Sequence, residues 1–484
     1  MHLGTVFRVI SVILLVVGAF MLAPIAYAFR FGETDILPSF LIPMAVSILF
    51  AVIVFLITNR RQRTLGARDG FLLVSGSWLL SALVGALPFV ISGAIPDMAD
   101  AYFESMSGFT TTGASILTDI ESIPKSLLFW RSLTHWLGGM GIVVLASAIL
   151  PILGIGAFKL MKAEAPGPTM DKITPRVAQT AKILWIIYLA LTVAETLLLL
   201  IGGMSLYDSL THTFGTLATG GFSPRNASVG YYQSAYIDII ITIFMVMAGI
   251  NFVLYFRLFT GQVGLVFRNT ELKAYIGFFV VTSVAMAIVL SAKEFYPTFA
   301  MSLRYASFQS ASILTTTGYV TADYALWPEA AQVFLFGLMF VGGCSGSTGG
   351  SIKVIRIVTL AKLAVNEMKY LAHPNKVFRI RIGGEIVKKG IVYTIAAFFF
   401  LYVGLLILIA IVAATSGADL KTSFSSALVT LGNIGPGFGR IGPTGNYAFY
   451  PAYVKWVLSF AMMAGRLEIY TVLILFTPVF WRRS

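Results

Sequence analysis

Apolar residues run along this chain in stretches of about 20, the length needed to cross the hydrocarbon core of a bilayer. Such stretches fall near residues 9–28, 39–58, 71–91, 129–151, 183–202, 236–258, 274–292, 330–360, 389–414 and 452–479. They predict ten crossings, the eighth interrupted. Between crossings three and four lies a different object, Asp100 to Gly113, too short and polar to span yet too apolar for an ordinary loop. About 10–14 residues of that character read as a re-entrant segment. The same object recurs from Tyr207 to Gly221, from Ser302 to Tyr319 and from Lys421 to Gly437.

Each of these segments ends on a glycine motif. Counted at Gly113, Gly220, Gly318 and Gly435, the motifs stand 107, 98 and 117 residues apart, room for one helix out and one back. The predicted fold is an all-α polytopic membrane protein: two N-terminal transmembrane helices, then four units of helix, pore helix, filter loop and helix around a pseudo-fourfold pore. The expected boundaries are 1–68 for the two-helix membrane domain, then 69–160, 161–270, 271–385 and 386–484 for the four units. The third unit carries an intramembrane glycine loop. At the N-terminus, Arg8, the apolar run Val9 to Ala23 and Ala26-Tyr27-Ala28 mimic a cleavable signal peptide. Apolar character continues past that site, so a retained helix is expected.

Composition enforces the membrane reading. Hydrophobic residues make up 57% and charged residues 11%, against about 25% charged in soluble domains, so most of the surface must meet lipid. The net charge of +13 invites a nucleic-acid reading. The cations instead fall in short runs between apolar stretches: Arg60, Arg61, Arg63 and Arg68; Lys159, Lys162, Lys172, Arg176 and Lys182; Arg257, Arg268 and Lys273; Lys353 to Lys389; and Arg482 with Arg483. With ten crossings all of these land on one side, which the positive-inside rule makes cytoplasmic, with both termini. The expected partner is the lipid bilayer and no nucleic acid. A single cysteine, Cys344, excludes an internal disulfide and a cysteine-rich metal site.

Non-helical backbone at membrane depth is tolerated only where protein buries it or it lines water. Four such loops meeting on an axis present carbonyl dipoles that replace the water shell of a bare cation, with no charged side chain needed. The expected lining is Thr111, Thr112 and Gly113; Ala218, Thr219 and Gly220; Thr316, Thr317 and Gly318; and Asn433, Ile434 and Gly435. The fourth set departs from the threonine pattern. Each preceding short helix turns its negative C-terminal end toward the centre.

In the eighth crossing, Gly342, Gly343, Ser345, Gly346, Ser347, Thr348, Gly349 and Gly350, with Lys353 just beyond, replace regular helix by a flexible loop expected to act as a gate below the filter. The alternative for such small residues is tight helix packing. Arg466, midway along the last crossing, is expected to face a cavity or partner, as a positive barrier or as an anchor for the glycine loop. An ion pair with Glu468 is the structural alternative. His135 beside Trp136 reads as an interfacial anchor, Glu104 as a backbone hydrogen-bond partner, and Asn226-Ala227-Ser228 as a weak glycosylation sequon. The glycine runs lack the lysine of a phosphate-binding loop and the strand of a dinucleotide site.

Ser107 to Ala114, Thr134 to Gly141, Thr315 to Tyr319 and Gly432 to Gly437 resemble the Trk/Ktr/HKT superfamily of potassium transporters. The extra N-terminal helix pair resembles its bacterial TrkH branch. The resemblance implies potassium uptake across a bacterial inner membrane, with K+ as the ion at the filter residues. It implies a homodimer with one pore per subunit, and a cytoplasmic TrkA-like nucleotide-binding ring. Any nucleotide, ATP/ADP or NAD, is then held by that partner and no cofactor by this chain. It further implies that the glycines match a potassium-preferring filter, the Gly342–Ser351 run a gating loop, and Arg466 an arginine below the filter. A Na+/K+-permeable pore and an H+- or Na+-coupled symporter of the same fold remain alternatives. A membrane enzyme would need a nucleophile with a base at depth, and Ser345 and Ser347 have no companion histidine.

Overall fold

The structure, a computed structural model, describes residues 1–58, 65–139, 141, 177–376, 379–383 and 385–482. Among these residues the regular structure is helical apart from one short antiparallel hairpin, Arg381–Ile382 with Glu385–Ile386, and an isolated bridge between Val341 and Ile352. Among the described residues, six helical spans are long and apolar enough to cross a membrane: Leu3–Phe31, Thr34–Ile57, Arg68–Ile91, Ala181–Ile201, Thr270–Ala292 and Lys389–Ala414. The N-terminal run packs on the second and third of these, with Val9 and Val17 fully buried. Its start is tied down where the backbone N–H of His2 donates to Asp69, 2.8 Å away.

The other four expected crossings are not simple rods. The run at 129–151 begins as the helix Lys125–Gly139, and its remainder lies outside the described residues. So do Arg60, Arg61 and Arg63, Lys159, Lys162, Lys172 and Arg176, and Arg483. The run at 330–360 is Glu329–Leu338, a loop, and then Val354–Ala372. Two runs that read as continuous are sharply bent: Ala235–Ala248 meets Phe252–Phe259 at 94°, and Ala452–Arg466 meets Tyr470–Phe476 at 114°.

Both bends have local causes that hydropathy does not register. At the first, Asn251 caps the new helix by accepting from the Val253 N–H at 2.9 Å, and the Gly249 carbonyl is taken by the Cys344 N–H at 2.8 Å. At the second, Glu468 adopts a left-handed φ of 54°, which no helix can continue through. The carbonyl and the carboxylate freed at these bends are spent on the glycine loop and on Arg356 beside it.

Candidate functional site

Four short helices enter the body without crossing it. They are Met98–Phe109, Leu206–Ala218, Phe299–Leu314 and Leu420–Leu431, of 12, 13, 16 and 12 residues. At 1.5 Å per residue each covers roughly 18–24 Å, short of a bilayer core. The first three are started by side-chain caps from Asp97, Ser205 and Thr298; Asp419 takes the same place in the fourth but makes no such bond. Their last turns are buried among the surrounding helices.

Each helix is stopped in the same way. One residue turns left-handed, Thr111 (φ 54°), Thr219 (56°), Thr316 (60°) or Asn433 (54°), and two residues later a glycine follows at φ 78°, 79°, 81° or 96°. A non-glycine residue held left-handed costs on the order of 1–3 kcal/mol and persists only where its surroundings enforce it. Four equivalent strained turns therefore mark one construction repeated four times.

This geometry corrects the register of the second loop. The glycine matching Gly113, Gly318 and Gly435 is Gly221, not Gly220; Gly220 stands level with Thr112, Thr317 and Ile434. Adjacent glycines conceal the shift in sequence, since spacing alone cannot choose between them. Gly220 is small for a separate reason: a Cβ there would lie 2.5 Å from the ring of His135.

The four glycines close a ring. A Cβ on Gly113 would lie 2.2 Å from the carbonyl oxygen of Gly220, one on Gly221 2.0 Å from that of Thr317, one on Gly318 2.2 Å from that of Ile434, and one on Gly435 2.6 Å from that of Thr112. Each loop thus abuts the next in chain order, and the fourth returns to the first. No side chain fits between them. Only glycine lets the backbones approach this closely while keeping the positive φ. Above the ring is a cavity of about 160 Å³ lined by Gly113, Gly221, Gly318 and Gly435.

Side chains brace the ring from behind. Thr110 and Thr112 share a hydroxyl hydrogen bond at 2.8 Å, and Thr315 and Thr317 one at 2.7 Å. Asn433, the departure in the fourth loop, donates from Nδ2 to the Thr112 hydroxyl at 2.9 Å and to the Met462 carbonyl at 2.8 Å. The Tyr447 hydroxyl donates to the Gly435 carbonyl at 2.8 Å. His135 is fully buried, Nδ1 is 2.7 Å from the Gly108 carbonyl, and its ring stacks on Phe222 at 4.0 Å. It is a packing residue behind the ring, not the interfacial anchor its neighbour Trp136 suggests. Glu104 accepts from the Ile116 N–H at 2.9 Å, as expected, and also from the buried guanidinium of Arg131 at 2.6 Å. Asn226 bridges to the outer loop of the first unit, donating to Asp119 at 2.9 Å; that bond holds the Asp119 carboxyl below its usual range.

Directly beneath the ring lies the glycine loop. Its ends are clipped together where the Gly342 N–H donates to the Ile352 carbonyl at 2.9 Å. The Gly350 N–H donates to the Thr316 hydroxyl at 2.7 Å, and a Cβ on Gly350 would stand 2.4 Å from the Gly432 carbonyl. Thr348 donates to the Ala248 carbonyl at 3.2 Å, the Gly346 carbonyl accepts from the Phe252 N–H at 3.0 Å, and Ser347 donates to the Cys344 carbonyl at 2.6 Å. A Cβ on Gly343 would stand 2.7 Å from the Ser347 hydroxyl, and one on Gly349 3.1 Å from the Thr315 carbonyl. The Lys353 ammonium donates to the Gly349 carbonyl.

Arg466 reaches this loop. Its guanidinium donates to the Thr348 carbonyl at 2.5 Å and to the carbonyls of Gly138 and Gly139 at 2.7 and 2.9 Å. Glu468 pairs instead with Arg356. Arg131 and Tyr447 escaped the sequence reading, and so did a third residue, at the glycine loop. Glu271 is buried and its Oε1 accepts from the N–H groups of Ser345 and Ile355 at 2.7 and 3.2 Å, holding both ends of the loop. A glutamate in the first turn after the Asn269 cap is ordinary in sequence, so nothing there marked it.

A ring of buried backbone carbonyls with no charged side chain in it, a small cavity on one side and a packed loop on the other, can hold a dehydrated cation and block its exit. Comparisons with known proteins agree with such chemistry. The TrkH family model, described as a cation transport protein, matches residues 36–297 and 278–483. The chain is 41% identical over 491 residues to the Trk system potassium uptake protein TrkH of Salmonella typhimurium and 40% identical over 490 residues to that of Escherichia coli K12, with full coverage of each chain. Among solved structures it is similar to the crystal structure of the potassium transporter TrkH from Vibrio parahaemolyticus, with a TM-score of 0.89, 36% identity and full coverage of both chains.

Proposed function

From the premise that the chain belongs to the TrkH family of cation transport proteins and is a multi-pass membrane protein, we propose that it takes up potassium through the ring of four loops. The observation that carries this is the closed circuit of glycine-to-carbonyl contacts, Gly113 to Gly220, Gly221 to Thr317, Gly318 to Ile434 and Gly435 to Thr112. Carbonyls placed around one axis substitute for the ion's water, and K+, and Rb+ with it, gives up its water more readily than a smaller cation. The lining is the carbonyls of 111–113, 219–221, 316–318 and 433–435. The sequence-based set beginning at Ala218 is moved one residue onward, in keeping with the repeated φ pattern.

The glycine loop is the gate in this reading. It sits under the third and fourth loops and is held by Glu271 and Arg466, and while so bonded it is the closed arrangement. Arg466 acts as its anchor and places a positive charge below the ring. Opening requires those hydrogen bonds to exchange partners.

The remaining parts of the proposal follow from family and charge distribution. Ten crossings, a two-helix preamble at 1–68 and four units at 69–160, 161–270, 271–385 and 386–484 suit the order of elements. The basic connections face the cytoplasm, with both termini, in a bacterial inner membrane. A homodimer, a TrkA-like ring on the basic face and a nucleotide, ATP/ADP or NAD, held by that ring complete the system; the chain itself works as a transporter and not as an enzyme.

Rubidium-tracer uptake into liposomes holding the purified protein, with K+ and Na+ as competitors, tests the reading. K+ is expected to compete far better than Na+, and Gly318→Ser to erode that preference. Equal competition by Na+, with the regulatory ring present so that the pore opens, overturns it in favour of a Na+/K+-permeable pore.

A further inference from the structure

Between the helices Thr270–Ala292 and Val354–Ala372 runs a groove of about 760 Å³, lined by none of the ring residues and inside the roughly 300–1,000 Å³ range of ligand pockets. Its floor and walls are apolar: Phe278 and Val281 on one helix, Val358 and Val365 on the other. Val281 is 65% and Val365 43% exposed, so the groove opens sideways toward lipid. Midway along it stands Gly277, where a Cβ would meet open space. That glycine is therefore not required by helix packing; its effect is to keep the groove deep.

One end of the groove is different in kind. Lys362, Lys369, Arg379 and Arg381 gather there. The hairpin that brings the two arginines is fastened in place, with the Gly383 N–H donating to the Thr270 hydroxyl at 3.1 Å and the Lys362 ammonium to the Arg381 carbonyl at 2.6 Å. Lys369, Arg379 and Arg381 remain exposed. An apolar slot of ligand size, open to the bilayer and ending in a cluster of cations, is complementary to a molecule with an anionic head and long apolar tails. Each Lys or Arg near such a surface attracts an anionic headgroup, and basic pockets between transmembrane helices hold such groups.

We propose that this groove is a binding site for an anionic phospholipid of the surrounding membrane, acyl chains along Phe278 and Val365 and phosphate against Lys369, Arg379 and Arg381. It is separate from the ion-conducting ring and does not depend on which ion crosses it. A bound lipid splints the hairpin and the helix Val354–Ala372, which leads directly out of the glycine loop.

The test uses the full-length protein, purified and stripped of lipid in detergent, with retention of dioleoylphosphatidylglycerol and dioleoylphosphatidylcholine measured by native mass spectrometry. These lipids share chains and differ in head charge. Phosphatidylglycerol is expected to bind at least about tenfold more tightly, a difference of about 1.4 kcal/mol. Gly277→Phe, which fills the groove, is expected to reduce binding of both lipids, whereas the triple variant Lys369→Ala, Arg379→Ala, Arg381→Ala abolishes only the preference. Should Gly277→Phe fail to fold, the surface triple variant decides alone. Equal retention of the two lipids, or a preference untouched by the triple variant, overturns the proposal. So does efficient cross-linking of Gly277→Cys between two chains in the bilayer, which would show a second copy filling the groove.

Discussion

Arg466 and Thr348 are joined across 118 residues by a guanidinium-to-carbonyl hydrogen bond, and the same guanidinium reaches Gly138 and Gly139. The last crossing, the glycine loop and the helix behind the first re-entrant loop are thereby tied at one point. Arg466→Ala is expected to release the loop and remove a positive charge below the ring, raising rubidium uptake several-fold; hydrogen bonds to charged groups contribute roughly 1.5–3 kcal/mol each. A well-folded variant with unchanged uptake would count against both roles.

The register of the second loop is testable by paired substitutions. Gly220→Ala collides with His135, a side chain that can be trimmed, so His135→Ala is expected to restore part of the loss. Gly221→Ala collides with the Thr317 carbonyl at φ 79° and has no such remedy. Competition of K+ and Na+ against tracer rubidium should show preference partly recovered in the first double variant and lost in Gly221→Ala with or without the histidine change. If Gly221→Ala is tolerated, the register stated above is wrong.

Asn433 is the hinge of the fourth loop, holding Thr112 and the Met462 carbonyl while left-handed. Asn433→Ala leaves a buried carbonyl without its donor and is expected to destabilise by about 1–3 kcal/mol. Asn433→Asp keeps the shape but replaces the donor with an acceptor and fares worse. Thermal unfolding in detergent gives the order, and selectivity should fall alongside.

Glu104 and Arg131 are an ion pair with side chains 0% and 3% exposed. Removing one partner strands a buried charge, typically at about 3–5 kcal/mol. Glu104→Gln is therefore expected to lower the unfolding temperature sharply, and the double change Glu104→Gln, Arg131→Met to recover much of it. Absence of recovery would mean that the contacts of Arg131 with Ser223 and the Phe222 ring outweigh the pair.

Glu271 fastens both ends of the glycine loop through the N–H groups of Ser345 and Ile355. With Glu271→Ala the loop loses both acceptor contacts, and rubidium uptake without the regulatory ring is expected to rise. A drop in uptake with an intact fold would show that the carboxylate holds the open arrangement instead.

The sequence by itself determined the membrane class, the apolar runs that become the membrane-length helices, the four short glycine-ended segments and the glycine loop. Those depend on composition and on patterns of 10 to 20 neighbouring residues, which the solvent reads almost directly: apolar runs go to lipid, and glycine clusters break helices. It did not determine which of Gly220 and Gly221 belongs in the ring, nor that the runs at 236–258 and 452–479 are bent, nor that Arg466 turns to Thr348 while Glu468 turns to Arg356. Each of those is settled by a contact between segments far apart in the chain, such as Gly221 with Thr317, Gly249 with Cys344 or Arg466 with Thr348, or by backbone that turns to make one. Hydropathy is blind to a carbonyl 2 Å from where a side chain would stand. Only the closed ring, in which the fourth loop meets the first, fixes where each glycine has to be.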